Sequence, residues 1–334
     1  MPEPLLRVRD LVKHFPVFKG IFRRQVGAVR AVDGISFDVP EQSTVAMVGE
    51  SGCGKTTAGR AILRLVEPDS GQVLFQGKDL LAQGPDELRA TRRNLQIIFQ
   101  DPFSSLNPRQ TVGQIIGSGL LLHGIVPNAR AAEDEAKRLL EKVGLQKSYT
   151  SRYPHEFSGG QRQRIGIARA IAVKPKFIVC DEAVSALDVS VQAQVLNLLL
   201  DLKEELGLSY LFVTHDLGVV RHIADHVVVM YLGEIVEAAP RPALFAAPFH
   251  PYTQALLSSA PRADFGLKRK RVILQGDVPN PKNPPSGCRF HTRCPLVFDR
   301  CRSQDPAAHT VAPGHTVACH LYEGRTEPVD IAGG

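Results

Sequence analysis

One short stretch, GESGCGKT at residues 49–56, limits the folds open to this chain more than any other feature. It matches the pattern G-x-x-x-x-G-K-[ST], which is typical of a loop that binds nucleotide phosphates. The run from Thr44 to Val48 before it has the composition of a buried strand, and the apolar spacing from Thr57 to Leu65 predicts a helix. The stretch therefore predicts a strand, a glycine-rich loop and a helix whose N-terminus binds phosphate.

The residue types in this loop suit a nucleoside triphosphate. Backbone amides at a glycine-rich helix N-terminus attract anions. Lys55 is predicted to reach the β- and γ-phosphates, and Thr56 to offer its hydroxyl to Mg²⁺. Cys53 lies inside the loop and is interpreted as a small filler. The other predicted nucleotide-binding residues here are Gly49, Ser51, Gly52, Gly54 and Thr57.

A second group of polar residues follows in KFIVCDEAVSALD. Phe177 to Cys180 reads as a short apolar strand that ends in Asp181 and Glu182. A carboxylate at the carboxyl end of a parallel strand can hold Mg²⁺ opposite the phosphate loop. The next carboxylate can orient and deprotonate an attacking water. We therefore predict Asp181 as a magnesium ligand and Glu182 as a general base.

Two further segments predict contacts near a nucleotide. Ser158, Gly159, Gly160 and Gln161 open a helix, and serine is a good helix cap. Two glycines are more than a cap requires, but they allow the backbone to approach an anion closely. These residues therefore predict a second phosphate-binding helix start. In LSYLFVTHDLG, His215 follows a predicted strand and is expected at the ligand edge of the sheet.

In the order in which they occur along the chain, with SGGQ before FIVCDE, the four motifs resemble the nucleotide-binding subunits of ATP-binding-cassette (ABC) transporters, over about residues 1–250. GESGCGKT is similar to Walker A, FIVCD to Walker B, FSGGQ to the family signature and SALD to the D-loop. The resemblance implies that Glu182 is the catalytic glutamate, that Gln100 in IIFQDP is the Q-loop glutamine and a magnesium ligand, and that His215 is the switch histidine. It also implies that Phe15 in VKHFPV stacks on adenine.

The resemblance implies a fold and a domain organisation. The expected fold is α/β, a P-loop ATP-binding cassette with an antiparallel β layer and a helical subdomain at about residues 103–160. The nucleotide-binding domain is predicted over residues 1–255. A Pro-rich linker, PNPKNPPSG, leads into a small C-terminal cysteine-rich module within an extension of residues 256–334.

Several longer segments resemble one group of ABC proteins, the di- and oligopeptide importer ATPases. These segments are FPVFKGIFRRQ, QDPFSSLNPR, HPYTQALL and PPSGCRFHTRCP, while CDEAVSALDVSVQAQVLNLL is similar to the second, F-type subunit of the paired ATPases. The implied function is ATP hydrolysis that energises peptide uptake. The implied partners are a second similar ATPase in a heterodimer, two membrane permease subunits and, indirectly, an extracytoplasmic substrate-binding protein. The expected location is peripheral, on the cytoplasmic face of the membrane.

Four of the six cysteines lie near the end of the chain: Cys288, Cys294, Cys301 and Cys319. The N-terminus lacks the pattern of a secretory signal, so reduced cytosolic thiols are expected and disulfides are disfavoured. A module of about fifty residues needs a staple beyond its own apolar burial, and a metal is the natural one. The tight C-x₂₋₄-C spacing of structural zinc is absent, although nearby histidines keep a mixed Cys/His zinc site open. These are His291, His309, His315 and His320.

An iron–sulfur cluster is the other candidate, because a [4Fe–4S] cluster takes one thiolate per iron and tolerates wider spacing. Some peptide-importer ATPases carry such a cluster in this tail. The resemblance therefore favours a [4Fe–4S] cluster with all four cysteines as ligands, and zinc is the alternative.

Other functions remain open at this point. The substrate could be nickel or a glutathione-like peptide instead of ordinary peptides. A cassette ATPase acting on DNA or ribosomes usually has tandem cassettes or coiled-coil arms, and neither appears in the sequence. The formal charge of +6 is typical of a solvated surface, so nucleic acid is not an expected partner. A non-enzymatic, metal-regulated nucleotide sensor would need a broken hydrolytic site, whereas Glu182 and His215 are both present.

Overall fold

The computed structural model describes residues 3–22, 24–101, 103–259 and 274–331. The chain forms two compact units, each assembled from several segments of the sequence. Unit 1 consists of Met1–Leu5, Val39–Thr44 and Leu80–Val213, and unit 2 of Leu6–Asp38, Val45–Asp79 and Thr214–Gly334.

The described residues form twelve strands. They are β1 (Leu6–Lys19), β2 (Arg24–Val39), β3 (Thr44–Val48), β4 (Ser70–Phe75), β5 (Lys78–Asp79), β6 (Leu95–Ile98), β7 (Phe177–Asp181), β8 (Ser209–Thr214), β9 (His226–Tyr231), β10 (Glu234–Pro240), β11 (Ala308–Ala312) and β12 (His315–Ala318).

Ten α-helices occur in the same ranges. They are α1 (Lys55–Ile62), α2 (Pro85–Thr91), α3 (Val112–Leu122), α4 (Ala129–Lys142), α5 (Gly159–Ala172), α6 (Val189–Leu206), α7 (Leu217–Ile223), α8 (Arg241–Ala246), α9 (Pro251–Ser259) and α10 (Asp299–Ser303). In the part of the chain that the structure describes, none of these is long and apolar enough to span a lipid bilayer.

Unit 1 contains three parallel strands in the order β8-β7-β6. The central strand β7 is buried along its whole length, as expected for a parallel strand with both faces covered. Its register places Val179 between Ile97 and Leu211. The predicted strand ended at Cys180, but β7 continues by one residue, so Asp181 lies at its carboxyl end.

Helices α3, α4 and α5 pack together in unit 1. The segment ARAAEDEAKRLLEKVGL has apolar residues at helical spacing. Four of these residues are buried on α4: Ala132, Ala136, Leu139 and Leu140. Asn128 caps this helix by accepting a hydrogen bond from the amide of Ala131.

Unit 2 contains a four-stranded sheet in the order β2-β1-β4-β5 and a run of strands in the order β11-β12-β10-β9-β3. Strands β1 and β4 are antiparallel, which confirms the predicted antiparallel layer. Strand β3 is parallel to β9, whereas the three other neighbouring pairs, β9 with β10, β10 with β12, and β12 with β11, are antiparallel. Because Glu237 of β10 pairs with Val317 of β12, the C-terminal strands extend the sheet that contains β3.

Candidate functional site: a nucleotide site and a four-cysteine cavity

The glycine-rich stretch joins β3 to α1 in unit 2, as the sequence predicted. All of β3 is buried, and α1 begins at Lys55 with Gly54 as its N-cap. Gly54 has a φ of +107°, and a Cβ at this position would lie 1.9 Å from the carbonyl oxygen of Ala31. Only glycine fits this conformation and this contact. The loop thereby presents the N-terminus of α1 at the predicted phosphate site.

The Lys55 ammonium is held against the loop itself. Its Nζ donates to the carbonyl oxygens of Gly49 and Glu50 at 2.8 and 2.9 Å, and only 4% of the residue is exposed. The Sγ of Cys53 lies 3.8 Å from Nζ. Burial raises the pKa of the Cys53 thiol, so this side chain is a neutral filler, as interpreted from the sequence. These contacts hold the Lys55 side chain at the loop, where an ammonium group can bind phosphate oxygens.

Sequence reasoning missed two residues that contact the phosphate loop. The amide of Glu50, the second residue of the loop, donates to the Tyr252 hydroxyl at 2.8 Å. The Glu50 carboxylate accepts two hydrogen bonds from the Arg293 guanidinium, at 2.7 and 3.1 Å. These partners are 202 and 243 residues away in sequence, so no local pattern identifies them. The only available signal was that HPYTQALL and CRFHTRCP resemble family segments.

Unit 1 brings two of the predicted catalytic residues together. The Nε2 of Gln100 donates to Oε2 of Glu182 at 2.8 Å. Glu182 has a φ of +47°, which is uncommon for a residue with a side chain. Its amide donates to the Val213 carbonyl at 3.0 Å, and its carbonyl accepts from the amide and hydroxyl of Ser185. Such backbone conformations persist where surrounding contacts hold them, and they cluster at functional sites.

Asp181 precedes Glu182 and occupies the predicted place at the end of β7. It is 1% exposed and pairs in register with Val213 of β8. A carboxylate buried to this degree is costly unless it meets a cation or hydrogen-bond donors. Its position suits a magnesium ligand, and its role as a ligand stays a prediction.

The SGGQ segment forms the predicted helix start of α5. Ser158 Oγ accepts from the amide of Gln161 at 3.3 Å, and Gln161 Oε1 accepts from the amide of Ser158 at 3.0 Å, which is a capping box. A Cβ on Gly160 would lie 2.5 Å from Cγ1 of Val191 on α6. Close packing of α6 therefore requires this glycine, a reason that the sequence did not reveal. The predicted phosphate contact of Ser158, Gly159, Gly160 and Gln161 stays a prediction.

Two further predicted residues, Phe15 and His215, lie in unit 2. Phe15 on β1 is 38% exposed, and the Lys13 ammonium lies 5.5 Å from its ring centroid. His215 is exposed and lies between β8 and α7. The next residue, Asp216, caps α7. Its carboxylate accepts a hydrogen bond from the amide of Gly218 at 2.7 Å, which restricts the backbone of the turn that follows His215. Adenine stacking by Phe15 and the switch role of His215 stay predictions.

The four C-terminal cysteines line one cavity in unit 2. The amide of Cys288 donates to the carbonyl of Cys301 at 2.9 Å, which joins two segments of the cavity wall. Burial raises the pKa of Cys288 and Cys319 to about 12 and that of Cys294 to about 11. Three histidines also line the cavity: His250, His291 and His320.

The geometry does not by itself identify a metal site. Across residues 3–22, 24–101, 103–259 and 274–331, no three His, Cys, Asp or Glu side chains are arranged to hold a metal ion. The convergence of the four cysteines on one cavity agrees with the predicted set, but their ligation of a metal stays a prediction.

Comparison with known proteins defines the class of this chain. The family model of ABC transporters matches residues 32–185. A dimeric structure of a post-hydrolysis state of the ATP-binding cassette MJ0796, bound to ADP and Pi, is similar with a TM-score of 0.63 at 26% identity, over 70% of this chain and 98% of that one. CbiO1 from Clostridium perfringens shares the fold with a TM-score of 0.62 at 24% identity, over 73% of this chain and 91% of that one. The chain is an ABC-transporter ATPase with the cassette fold.

A second family model and two similar proteins identify the family of this ATPase more specifically. The family model of the oligopeptide/dipeptide transporter C-terminal region matches residues 236–301. The oligopeptide transport ATP-binding protein AppF of Bacillus subtilis is 53% identical, over 96% of this chain and 98% of that protein. The probable peptide ABC transporter ATP-binding protein y4tS of Sinorhizobium fredii is 54% identical, over 96% and 91%. The chain belongs to this family, the ATP-binding subunits of oligopeptide and dipeptide ABC transporters.

Proposed function

We propose that this chain hydrolyses ATP with Glu182 as the general base, and that it thereby drives uptake of dipeptides or oligopeptides through a membrane permease. The contact between Gln100 and Glu182 carries the assignment, because it holds the carboxylate of the proposed base at 2.8 Å from a second predicted site residue. Lys55 binds the β- and γ-phosphates in this proposal, and Phe15 stacks on adenine. The chain acts as a peripheral subunit on the cytoplasmic face of the membrane.

We propose that Thr56, Asp181 and Gln100 would hold Mg²⁺ with the nucleotide, because their chemistry suits this ion. Thr56 offers a hydroxyl and Asp181 a buried carboxylate, which are oxygen donors of the kind that Mg²⁺ prefers, and Gln100 offers an amide oxygen. Held by these residues, Mg²⁺ would neutralise charge on the phosphates.

Reconstitution tests the transport function. With two permease subunits and the second ATPase in liposomes, this chain is expected to support ATP-dependent uptake of a labelled oligopeptide. Its ATPase rate should rise with the permease and a substrate-binding protein, and should not respond to DNA. Uptake of nickel or of a glutathione-like peptide in place of ordinary peptides would assign the alternative substrates. Stimulation by DNA alone would contradict the transport assignment.

We also propose that the SGGQ helix start completes an ATP site on a second, similar ATPase. The helix α5 begins at Gly159, and Ser158 and Gln161 hold its first turn in place. The related MJ0796 cassette, with ADP and Pi, is a dimer. A phosphate bound at this helix start would join the two subunits, and the expected assembly is a heterodimer.

A charge placed at this helix start is expected to block ATP-dependent dimer formation. Ser158→Glu sets a carboxylate against the phosphate, so the complex with the second ATPase should not form in sedimentation experiments with ATP. Thr111→Glu is the matched control, because Thr111 caps α3 of unit 1 with the same kind of capping box. The control should assemble normally. Turnover strictly linear in enzyme concentration down to nanomolar, in a protein that sediments as a monomer with ATP, would contradict the proposal.

We propose that the four-cysteine cavity holds a [4Fe–4S] cluster that staples the C-terminal module. A zinc ion needs its sulfur ligands about 2.3 Å from one centre, so they must lie close together. A [4Fe–4S] cluster takes its four thiolates on four different irons, which spreads the sulfurs around a larger core. The four cysteines line one cavity, and their number matches the four thiolates that the cluster takes.

Metal analysis and cysteine substitution test the cluster. Protein purified without oxygen is expected to be brown, with iron and acid-labile sulfide in equal amounts. Substitution of Cys288, Cys294, Cys301 or Cys319 by Ser should remove the colour, since each thiolate binds one iron. Cys180→Ala is the control, because Cys180 is buried in β7 of unit 1 and should not affect the iron content. Colourless protein with one zinc per chain would contradict the cluster and favour the zinc alternative.

A further inference from the structure

Each polar backbone and side-chain group of Glu50 has a partner within unit 2. Its amide contacts Tyr252, its carboxylate contacts Arg293, and its carbonyl accepts from Lys55 Nζ at 2.9 Å. Glu50 therefore connects Tyr252 and Arg293 of the C-terminal region to Lys55, the residue proposed to bind phosphate. A shift of Glu50 would displace one of the two carbonyl oxygens that hold the Lys55 ammonium.

The contact between Arg293 and Glu50 has the geometry of a strong ion pair. Two guanidinium nitrogens donate to the two carboxylate oxygens, and the Arg293 side chain is 8% exposed. Burial alone would lower the pKa of Arg293, but hydrogen bonds to Glu50 and Tyr231 raise it above its ordinary value. The guanidinium is thus always charged, and its planar fork fixes the direction of the Glu50 side chain.

Arg293 belongs to the same short segment as two of the cavity cysteines, residues 288–294. Phe290 of this segment packs on the rings of Tyr231 and Tyr252, with centroids 5.3 and 5.5 Å apart. Cys288 and Cys294 pack against the same apolar cluster. A change in the cavity that moves this segment would therefore also move both partners of Glu50.

A second arginine anchors the segment independently. Arg289 is 7% exposed and contacts the Leu232 carbonyl, the Asp33 carboxylate and, at 2.9 Å, the Glu234 carboxylate. These contacts hold the segment against β10 without Arg293. Removal of the Arg293 side chain should therefore leave the segment in place, while the Glu50 carboxylate of the phosphate loop loses its contact with Arg293.

We propose that Arg293 and Tyr252 are positioning residues of the ATP site. They act through Glu50, which holds the phosphate loop and Lys55, and they make ATP binding depend on the conformation of the cysteine segment 288–294. The proposal rests on the ATPase function of the chain. It does not depend on which metal, if any, the cysteines bind.

The first test compares two arginines of the C-terminal region in the full-length chain. Arg293→Gln is expected to raise the Kd for ATP, measured with a fluorescent ATP analogue, and the KM for ATP by about tenfold, with kcat little changed. Arg300→Gln is the matched control, because Arg300 also precedes a cavity cysteine but pairs with Glu323 at the surface. The control should bind ATP normally. Arg293→Lys, which keeps the charge and loses the fork, should lie between the wild type and Arg293→Gln.

The second test asks whether the effect passes through Glu50 and the cysteine segment. The double variant Glu50→Gln/Arg293→Gln should bind ATP no more weakly than Arg293→Gln, because each of the two changes disrupts the same contact between Arg293 and Glu50. Cys294→Ser should raise the Kd in the wild-type background and should have no further effect in the Arg293→Gln background. Iron content, measured in parallel, reports on the cluster separately.

Three outcomes would overturn the proposal. In the first, Arg293→Gln binds ATP as tightly as Arg300→Gln. In the second, the losses of ATP affinity caused by Glu50→Gln and Arg293→Gln add up in the double variant. In the third, Cys294→Ser has the wild-type Kd for ATP. Wild-type protein that binds ATP without any turnover would instead contradict the proposed catalytic assignments. The two failures are therefore distinguishable.

Discussion

Replacement of Glu182 by glutamine is expected to leave ATP binding intact and to remove nearly all hydrolysis. Glutamine keeps the size of the side chain and can still pair with Gln100, but it cannot accept a proton from the attacking water. Loss of a positioned general base lowers turnover by ~10²–10⁴-fold. The measurement is phosphate release at saturating ATP, with the Kd for ATP determined separately.

A second carboxylate in unit 1 provides the control for this variant. Glu205 lies on α6 and forms an exposed ion pair with Lys142, and such pairs contribute little to stability. Glu205→Gln should retain the wild-type turnover. If Glu182→Gln also turned over at nearly the wild-type rate, Glu182 would not be the general base.

Replacement of Lys55 by alanine is expected to weaken the binding of ATP itself. The variant loses charge-assisted hydrogen bonds to the phosphates, and hydrogen bonds to charged groups are worth about 1.5–3 kcal/mol. This corresponds to a Kd higher by about 10–150-fold, since 1.4 kcal/mol is a factor of ten. The carbonyl oxygens of Gly49 and Glu50 also lose the donor that orders the loop. Titration with a fluorescent ATP analogue measures the change.

The exposed Lys78 of β5 is the matched control, because it carries the same charge in the same unit. Lys78→Ala should bind ATP with the wild-type Kd. A Lys55→Ala protein with normal affinity and reduced turnover would contradict a role in binding. Together, Glu182→Gln and Lys55→Ala should separate hydrolysis from binding.

Local sequence patterns predicted several loops and helices of both units. The phosphate loop between β3 and α1, the Ser158 cap of α5 and the buried face of α4 all agree with the structure. Each depends on residues within one or two turns of one another, so periodicity and capping chemistry suffice to identify them. The helices differ from prediction only at their ends, as in α1, which was expected from Thr57 and begins at Lys55.

Motif resemblance identified residues that are distant in sequence but could not supply their contacts. Gln100 and Glu182 were each assigned a role, yet they are 82 residues apart, and only the fold of unit 1 brings their side chains to 2.8 Å. The cysteines were likewise recognised as a set, and the tertiary structure determines that they line one cavity.

The sequence by itself determined the family and the phosphate loop, and it predicted candidate residues for hydrolysis, because these depend on short patterns with their own chemistry. Only the tertiary structure decided that Tyr252 and Arg293 hold Glu50, that Val191 leaves no room for a side chain at Gly160, and that Glu182 has a positive φ. Contacts of this kind join elements far apart in the chain, so no periodicity or cap encodes them. They follow from the close packing of strands and helices, which fixes individual side chains and backbone angles only once the whole unit has folded.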